Sequence, residues 1–140
     1  MKIVQLLTAF LGSLGFALVF GVRRKLVPYC ALGGFLEWGL YLLLMPWMSK
    51  FIAALVSSAF AAVYAMVLAK ACKAPSTIFY ITTIIPMVPG GSLYYMMASI
   101  VRQDSAMAMQ YGMDTLEMVL ALAGGLALVS AARQILPEQH

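Results

Sequence analysis

Charged side chains are scarce in this sequence, and so are the residues that build catalytic or metal sites. Only 10% of its 140 residues are Asp, Glu, Lys or Arg, against roughly 25% in soluble domains. The single histidine, His140, is the last residue, and Cys30 and Cys72 lack the spacing of metal ligands. No catalytic triad, metal cluster or phosphate-binding loop stands out. These absences argue against a soluble fold and against an enzyme, and we expect no metal and no other cofactor.

Apolar residues fill the space that charge leaves, with 64% hydrophobic residues and a mean hydropathy of +0.94. A membrane-spanning helix needs about 20 mainly apolar residues. The sequence predicts an all-α membrane protein with about five spans, forming a single integral membrane domain over residues 1–140. The spans are 3–21, 27–46, 51–69, 77–100 and 115–132. The first apolar run exceeds the core of a typical secretion signal, so we expect it to be retained.

The basic residues predict how these spans are oriented. Six Lys and Arg residues would share one face of the membrane, namely Arg23, Arg24, Lys25, Lys70, Lys73 and Arg133. Only Lys2, Lys50 and Arg102 would lie on the other face. Because cytoplasmic loops are enriched in Lys and Arg, we expect the N-terminus outside and the C-terminus in the cytoplasm. The net charge of +4 is then a topology signal and requires no nucleic-acid partner.

Small residues recur every fourth position in two spans, where they let helix backbones approach closely. The predicted packing positions are Ala53, Ser57, Ala61, Ala65, Ala121 and Gly125. Such faces indicate tight contacts within the chain or with a partner subunit, without saying which.

Glu37 is the one ionisable residue that falls well inside a span. Charged groups at that depth cost about 2.5–3.5 kcal/mol on insertion scales, so they usually face protein or water. We consider it a candidate for carrying the proton of a coupled cycle. The alternative is that it pairs with a basic residue of a partner or lies at a shallower depth. Three other acidic residues, Asp104, Asp114 and Glu117, lie in or beside the loop between the fourth and fifth spans. They are predicted to form a solvated rim, with entry of Glu117 into the membrane as the alternative.

The fourth span is interrupted near its middle by Pro86, Pro89, Gly90 and Gly91. Proline lacks an N–H and clashes with the carbonyl four residues back, so the carbonyls of Thr82 and Ile85 should lose their helical partners. Broken backbone is tolerated in a membrane only where protein or a watery cavity surrounds it. Such breaks often line the substrate site of secondary transporters. The alternative is a kinked helix that only packs.

This break predicts a binding site for a small molecule. Amide groups at the start of the second half-helix suit a carboxylate, and the freed carbonyls suit an ammonium or hydroxyl group. That pairing matches a small amino acid or a hydroxylated organic acid, and the lack of a basic side chain argues against phosphates. The candidate substrate-binding residues are Thr82, Thr83, Pro86, Pro89, Gly90, Gly91, Ser92 and Tyr94. Alternatively, Thr82 and Ser92 only cap their own half-helices.

Two segments resemble the threonine/serine exporter (ThrE) family in its short split-subunit form. Ile84-Ile-Pro-Met-Val-Pro-Gly-Gly-Ser-Leu-Tyr94 resembles the family's Pro-x-x-Pro-Gly signature, onto which Pro86, Pro89 and Gly90 map directly. Phe20-Gly-Val-Arg-Arg-Lys-Leu-Val-Pro-Tyr-Cys-Ala-Leu-Gly-Gly34 is similar to its first loop and second-helix entry.

The resemblance implies a proton-driven efflux carrier for threonine, serine or related metabolites in a bacterial inner membrane. It also implies a longer partner subunit with a matching membrane half, while a homo-oligomer stays open. Two other classes remain: a scaffold subunit that transports nothing, and a membrane enzyme, which no motif supports. A proton or ion channel ranks below both.

Overall fold

The structure, a computed structural model, describes residues 1–135, and His140 lies outside them. Within this range the chain forms six α-helices and no strand, which confirms the all-α prediction. The helices are α1 (Lys2–Val19), α2 (Val27–Leu44), α3 (Lys50–Cys72), α4 (Ser76–Ile84), α5 (Gly90–Val101) and α6 (Ser105–Ile135). A 3-10 turn, Ile85–Met87, extends α4.

The helix lengths match a multi-pass membrane protein with a broken fourth span. By length and composition α1, α2, α3 and α6 can each cross a membrane. The segments Ser76–Met87 and Gly90–Val101 meet at an angle of 51° and give a fifth span if the bent pair is counted as one. This bend confirms the prediction of a break at Pro86 and Pro89.

The last helix is longer than the span predicted within it, and the extra length matters for the site. The last helix begins at Ser105 rather than at residue 115. Asp104 precedes it, and its Oδ1 accepts a hydrogen bond from the Met107 N–H at 3.1 Å, which caps the first turn. Asp114 and Glu117 therefore lie on a helix and are not part of a loop rim.

The packing is centred on α3, which contacts α2, α4 and α6, while α1 packs mainly on α2. Small side chains form much of the interior, as expected where helix backbones come close. The buried residues include all six positions marked above for packing: Ala53, Ser57, Ala61, Ala65, Ala121 and Gly125. In contrast, α5 packs chiefly on α6 and has no buried residue.

Candidate functional site

The bend arises from backbone chemistry at two prolines. Val88 is extended, with φ −60° and ψ 124°, because the ring of Pro89 disfavours helical geometry in the residue before it. Pro86 lies in the 3-10 turn, and α5 then begins after Pro89 without a side-chain cap. The chain changes direction at Val88 and Pro89, two successive residues whose backbone is not helical.

Hydrogen bonds at the bend correct one prediction. The Ile85 carbonyl was expected to be left without a partner, but it accepts the Val88 N–H at 3.2 Å. The 3-10 turn supplies this bond, so that expectation was wrong. The Gly90 N–H is also used locally, since it donates to the Val88 carbonyl at 2.7 Å. The N–H groups of Gly91 and Ser92 belong to the first turn of α5, where a helix offers no acceptor of its own.

A cavity of about 280 Å³ lies against the bend, and we call it the bend cavity. Four segments of the chain form it: the end of α2, the start of α3, the bend itself and the middle of α6. Its walls are Trp38, Tyr41, Lys50, Phe51, Pro86, Met87, Val88, Pro89, Gly91, Ser92, Asp114, Glu117 and Met118.

The bend cavity carries charge of both signs. Lys50 opens α3, and Asp114 and Glu117 stand three positions apart on one face of α6. No basic side chain was predicted for this site, and that prediction was wrong because Lys50 is part of the cavity wall. The indole N–H of Trp38 adds a donor that has no hydrogen-bond partner within residues 1–135. A small molecule with both a carboxylate and an ammonium group would find complementary charge here.

Four of the eight predicted substrate-binding residues line this cavity: Pro86, Pro89, Gly91 and Ser92. The other four lie elsewhere. Gly90 is exposed outside the wall, with no atom within 4 Å of a Cβ built on it. Tyr94 is 68% exposed, and its ring meets Tyr95 edge-on at 5.5 Å between centroids.

The two threonines of α4 are fully buried and do not reach the bend cavity. Thr82 Oγ1 donates to the carbonyls of Ile78 at 2.8 Å and Phe79 at 3.1 Å, so it serves its own helix. Thr83 Oγ1 has no hydrogen-bond partner in the described part of the chain. It lies where a Cβ on Gly33 would collide with it, which shows that α2 and α4 pack without space between them there.

Glu37 is also fully buried, and neither of its carboxyl oxygens has a hydrogen-bond partner among the described residues. It follows Gly33 by one helical turn and precedes Trp38, a wall residue of the bend cavity. A buried, unpaired carboxyl within a membrane-spanning helix is a candidate for a functional group.

Sequence reasoning missed Lys50, Asp114 and Glu117 as site residues. The signal for the acidic pair was their i, i+3 spacing at the start of the apolar run, which places both on one helix face. Lys50 gave no such signal, because only the packing of α3 beside the bend brings it to the cavity.

Taken together, a multi-pass helical protein with a broken span and a charged cavity at the break belongs to the class of membrane transporters. Comparison with known families gives the particular one. Residues 5–132 match the family described as Threonine/Serine exporter, ThrE, and the chain belongs to this family. The family is one of transporters and not of enzymes. No solved structure matches the chain.

Proposed function

We propose that this chain is the short membrane subunit of a proton-coupled efflux carrier for threonine, serine or a related small organic acid. The carrier would lie in a bacterial cytoplasmic membrane, with the N-terminus outside and the C-terminus in the cytoplasm. The observation that carries the proposal is the bend cavity, which joins one cation, two carboxylates and the first turn of α5 in one small space.

The bend cavity suits an amino-acid zwitterion. Lys50 and the N–H groups of Gly91 and Ser92 provide the partners that a substrate carboxylate needs. Asp114 and Glu117 provide acceptors for the substrate ammonium group. At about 280 Å³ the cavity lies just below the roughly 300–1,000 Å³ typical of ligand pockets, which favours a small metabolite.

Glu37 is the proposed carrier of the coupling proton. It is fully buried and has no hydrogen-bond partner within residues 1–135. In such a position the ionised carboxylate is unfavourable, because its charge would be buried without a partner, and the protonated form is favoured. Protonation and release would therefore be coupled to the opening of the site to water.

A second subunit is part of the proposal because the resemblance to the short split-subunit form of the family implies a partner, and α5, which packs chiefly on α6, offers it a free face. Leu93, Met97 and Ile100 are 44–59% exposed, and no residue of α5 is buried. We propose that a longer ThrE-family subunit covers this helix, and a second copy of this chain is the alternative. The competing functional reading is a scaffold subunit, in which the bend would only dock the partner.

Co-expression tests the proposal directly. The chain is produced alone, with a candidate long subunit, and in the same pair carrying Lys50→Gln, and efflux of threonine, serine and small dicarboxylates is measured. We expect efflux from the intact pair and strongly reduced efflux from the Lys50→Gln pair at equal membrane abundance. A stable complex whose efflux is unaffected by Lys50→Gln would favour the scaffold reading.

A further inference from the structure

A second cavity lies at the other end of the helices that form the bend cavity. It measures about 590 Å³ and lies between Met66 of α3, Tyr80 of α4 and Arg133 of α6. We call it the Arg133 cavity. Its wall is partly polar, with Ser76 and Ser130 among the residues that face it.

The two cavities share one seam, formed by α3, the broken span and α6. On α6, Met118 lines the bend cavity and Leu126 lines the Arg133 cavity, and eight helical residues correspond to about 12 Å. On the broken span, Pro86 and Tyr80 are six residues apart, which corresponds to about 9 Å. On α3, Phe51 lines the bend cavity and Ala62 lines the Arg133 cavity, a separation of about 17 Å. The interval between the cavities is thus about half or less of the roughly 30 Å thickness of a membrane's hydrocarbon core.

A hydrogen-bonded bridge closes the interval between the cavities. Ser58 Oγ donates to the Leu122 carbonyl at 2.7 Å, and the Tyr80 hydroxyl lies 3.2 Å from the same Ser58 Oγ. Each of the three helices of the seam thus contributes one residue. Ser58 is fully buried and Tyr80 is 9% exposed, yet Tyr80 also lines the Arg133 cavity. The phenol is therefore the boundary between that cavity and the closed interval.

One further polar atom lies on these helices that packing alone does not require. Ser57 Oγ of α3 is buried with no hydrogen-bond partner among residues 1–135. Leaving hydroxyl groups buried and unpaired is unfavourable in any apolar interior. The cost is removed whenever water or a polar solute enters and bonds to them, as it would along a path through the seam.

We infer that the exported solute crosses this chain along the seam from the Arg133 cavity to the bend cavity, and that the bridge of Ser58, Tyr80 and Leu122 is the closed gate between them. The inference deepens the proposed export function and rests on it for the direction of travel. It assigns Tyr80 as a positioning residue that holds the gate shut.

Cysteine labelling tests the path without requiring transport. In the full chain carrying Cys30→Ser and Cys72→Ser, single cysteines replace Ser92 in the bend cavity, Ser130 in the Arg133 cavity and Ser58 in the gate. Right-side-out and inverted membrane vesicles are treated with a membrane-impermeant, positively charged thiol reagent. The control is Leu128→Cys, because Leu128 is an exposed apolar residue that lines neither cavity.

The expected pattern is labelling of Ser92→Cys from one face only and of Ser130→Cys from the opposite face only. Ser58→Cys and Leu128→Cys should resist the reagent from both faces. Adding Tyr80→Ala should open Ser58→Cys to the face that reaches Ser130→Cys, with no change at Leu128→Cys. Labelling of both cavities from the same face, or a Ser58 site that ignores Tyr80, would overturn the inference.

Because Tyr80→Ala removes a large buried ring, Tyr80→Phe serves as the second variant. It keeps the ring and deletes only the hydroxyl, which also donates to the Leu122 carbonyl at 3.4 Å. Because this bond does not involve Ser58, its loss should accelerate labelling of Ser58→Cys about fivefold, the change expected for one net hydrogen bond. An unchanged rate with a folded Tyr80→Phe protein contradicts the gate. Export is measured separately. The expected labelling pattern without efflux would support the path and contradict the proposed function. Efflux without the labelling pattern would support the proposed function and contradict the path.

Discussion

Gly125 of α6 lies so close to Leu55 of α3 that a Cβ built on the glycine would stand 2.7 Å from the Leu55 carbonyl oxygen. The same Cβ would lie 2.7 Å from the Ser58 Cβ. Gly124, its neighbour, has room, since a Cβ there would meet the nearest Leu55 side-chain atom at 3.6 Å. The two helices are therefore in backbone contact at one glycine of the pair only.

This difference predicts opposite effects for two adjacent substitutions. Alanine in place of a mid-helix glycine normally stabilises by about 0.5–1 kcal/mol. We expect that gain for Gly124→Ala, whereas Gly125→Ala must push α3 and α6 apart and should lose about 1–3 kcal/mol. Thermal unfolding of the detergent-solubilised protein measures both, and equal stability of the two variants would contradict the close contact.

The bend predicts a second pair of variants. Pro89→Ala restores an N–H and frees Val88 to become helical, so the fourth span should straighten and the bend cavity should lose its shape. We expect export to fall at least about tenfold, as small displacements of binding groups cost more than that, while membrane insertion is retained. Pro75→Ala, at the start of α4 and away from the bend, is the matched control.

Spin labels at Ile81 and Met97, which are 39% and 59% exposed on either side of the bend, report the geometry independently of transport. Their separation should increase in Pro89→Ala and stay unchanged in Pro75→Ala. Full export together with an increased separation would show that the bend is not needed for the site.

The sequence was sufficient to predict the break because its cause is local. Pro86 and Pro89 act on their own and preceding residues whatever surrounds them, and the 51° angle follows. The burial of Ala61 and Ala121 was predictable for a similar reason, since small residues at a spacing of four make one helix face.

Lys50 could not be predicted in the same way. Its place in the bend cavity depends on how α3 starts relative to α6, which is a tertiary relation that hydropathy does not encode. Asp114 was expected beside a loop because hydropathy marks only the apolar span that starts at residue 115. The helix itself begins ten residues before that span, at Ser105. The fate of the Ile85 carbonyl was missed because a 3-10 turn supplied a partner that an α-helix would not.

Glu37→Gln tests proton coupling. Glutamine has nearly the same size and cannot release a proton, so the variant should fold and insert normally. We expect its export rate to become independent of an imposed pH gradient, whereas the parent responds to it. The control is Glu117→Gln, which removes a carboxyl from the wall of the bend cavity and should weaken substrate binding while the response to pH is kept. A Glu37→Gln protein with the parental pH response would remove Glu37 from the coupling mechanism.

The charges of the bend cavity predict that different residues bind the carboxylate and the ammonium group of the substrate. A hydrogen bond to a charged partner is worth about 1.5–3 kcal/mol, and Lys50 is exposed, so Lys50→Gln should raise the KM for threonine about tenfold. It should do the same for a hydroxy acid that lacks the amino group, because both substrates present a carboxylate. Lys25→Gln, on the loop before α2, is the matched control and should change neither KM.

Asp114→Asn should raise the KM for threonine alone, since the hydroxy acid has no ammonium group for the carboxylate of Asp114 to bind. Uptake of both labelled substrates into inverted vesicles gives the four KM values that decide the question. An Asp114→Asn variant that weakens both substrates equally would mean that this carboxylate shapes the cavity and does not read the substrate's charge. In that case Glu117 is the remaining candidate for binding the ammonium group. The equivalent carboxylate-to-amide substitution, Glu117→Gln, is then measured with the same two substrates.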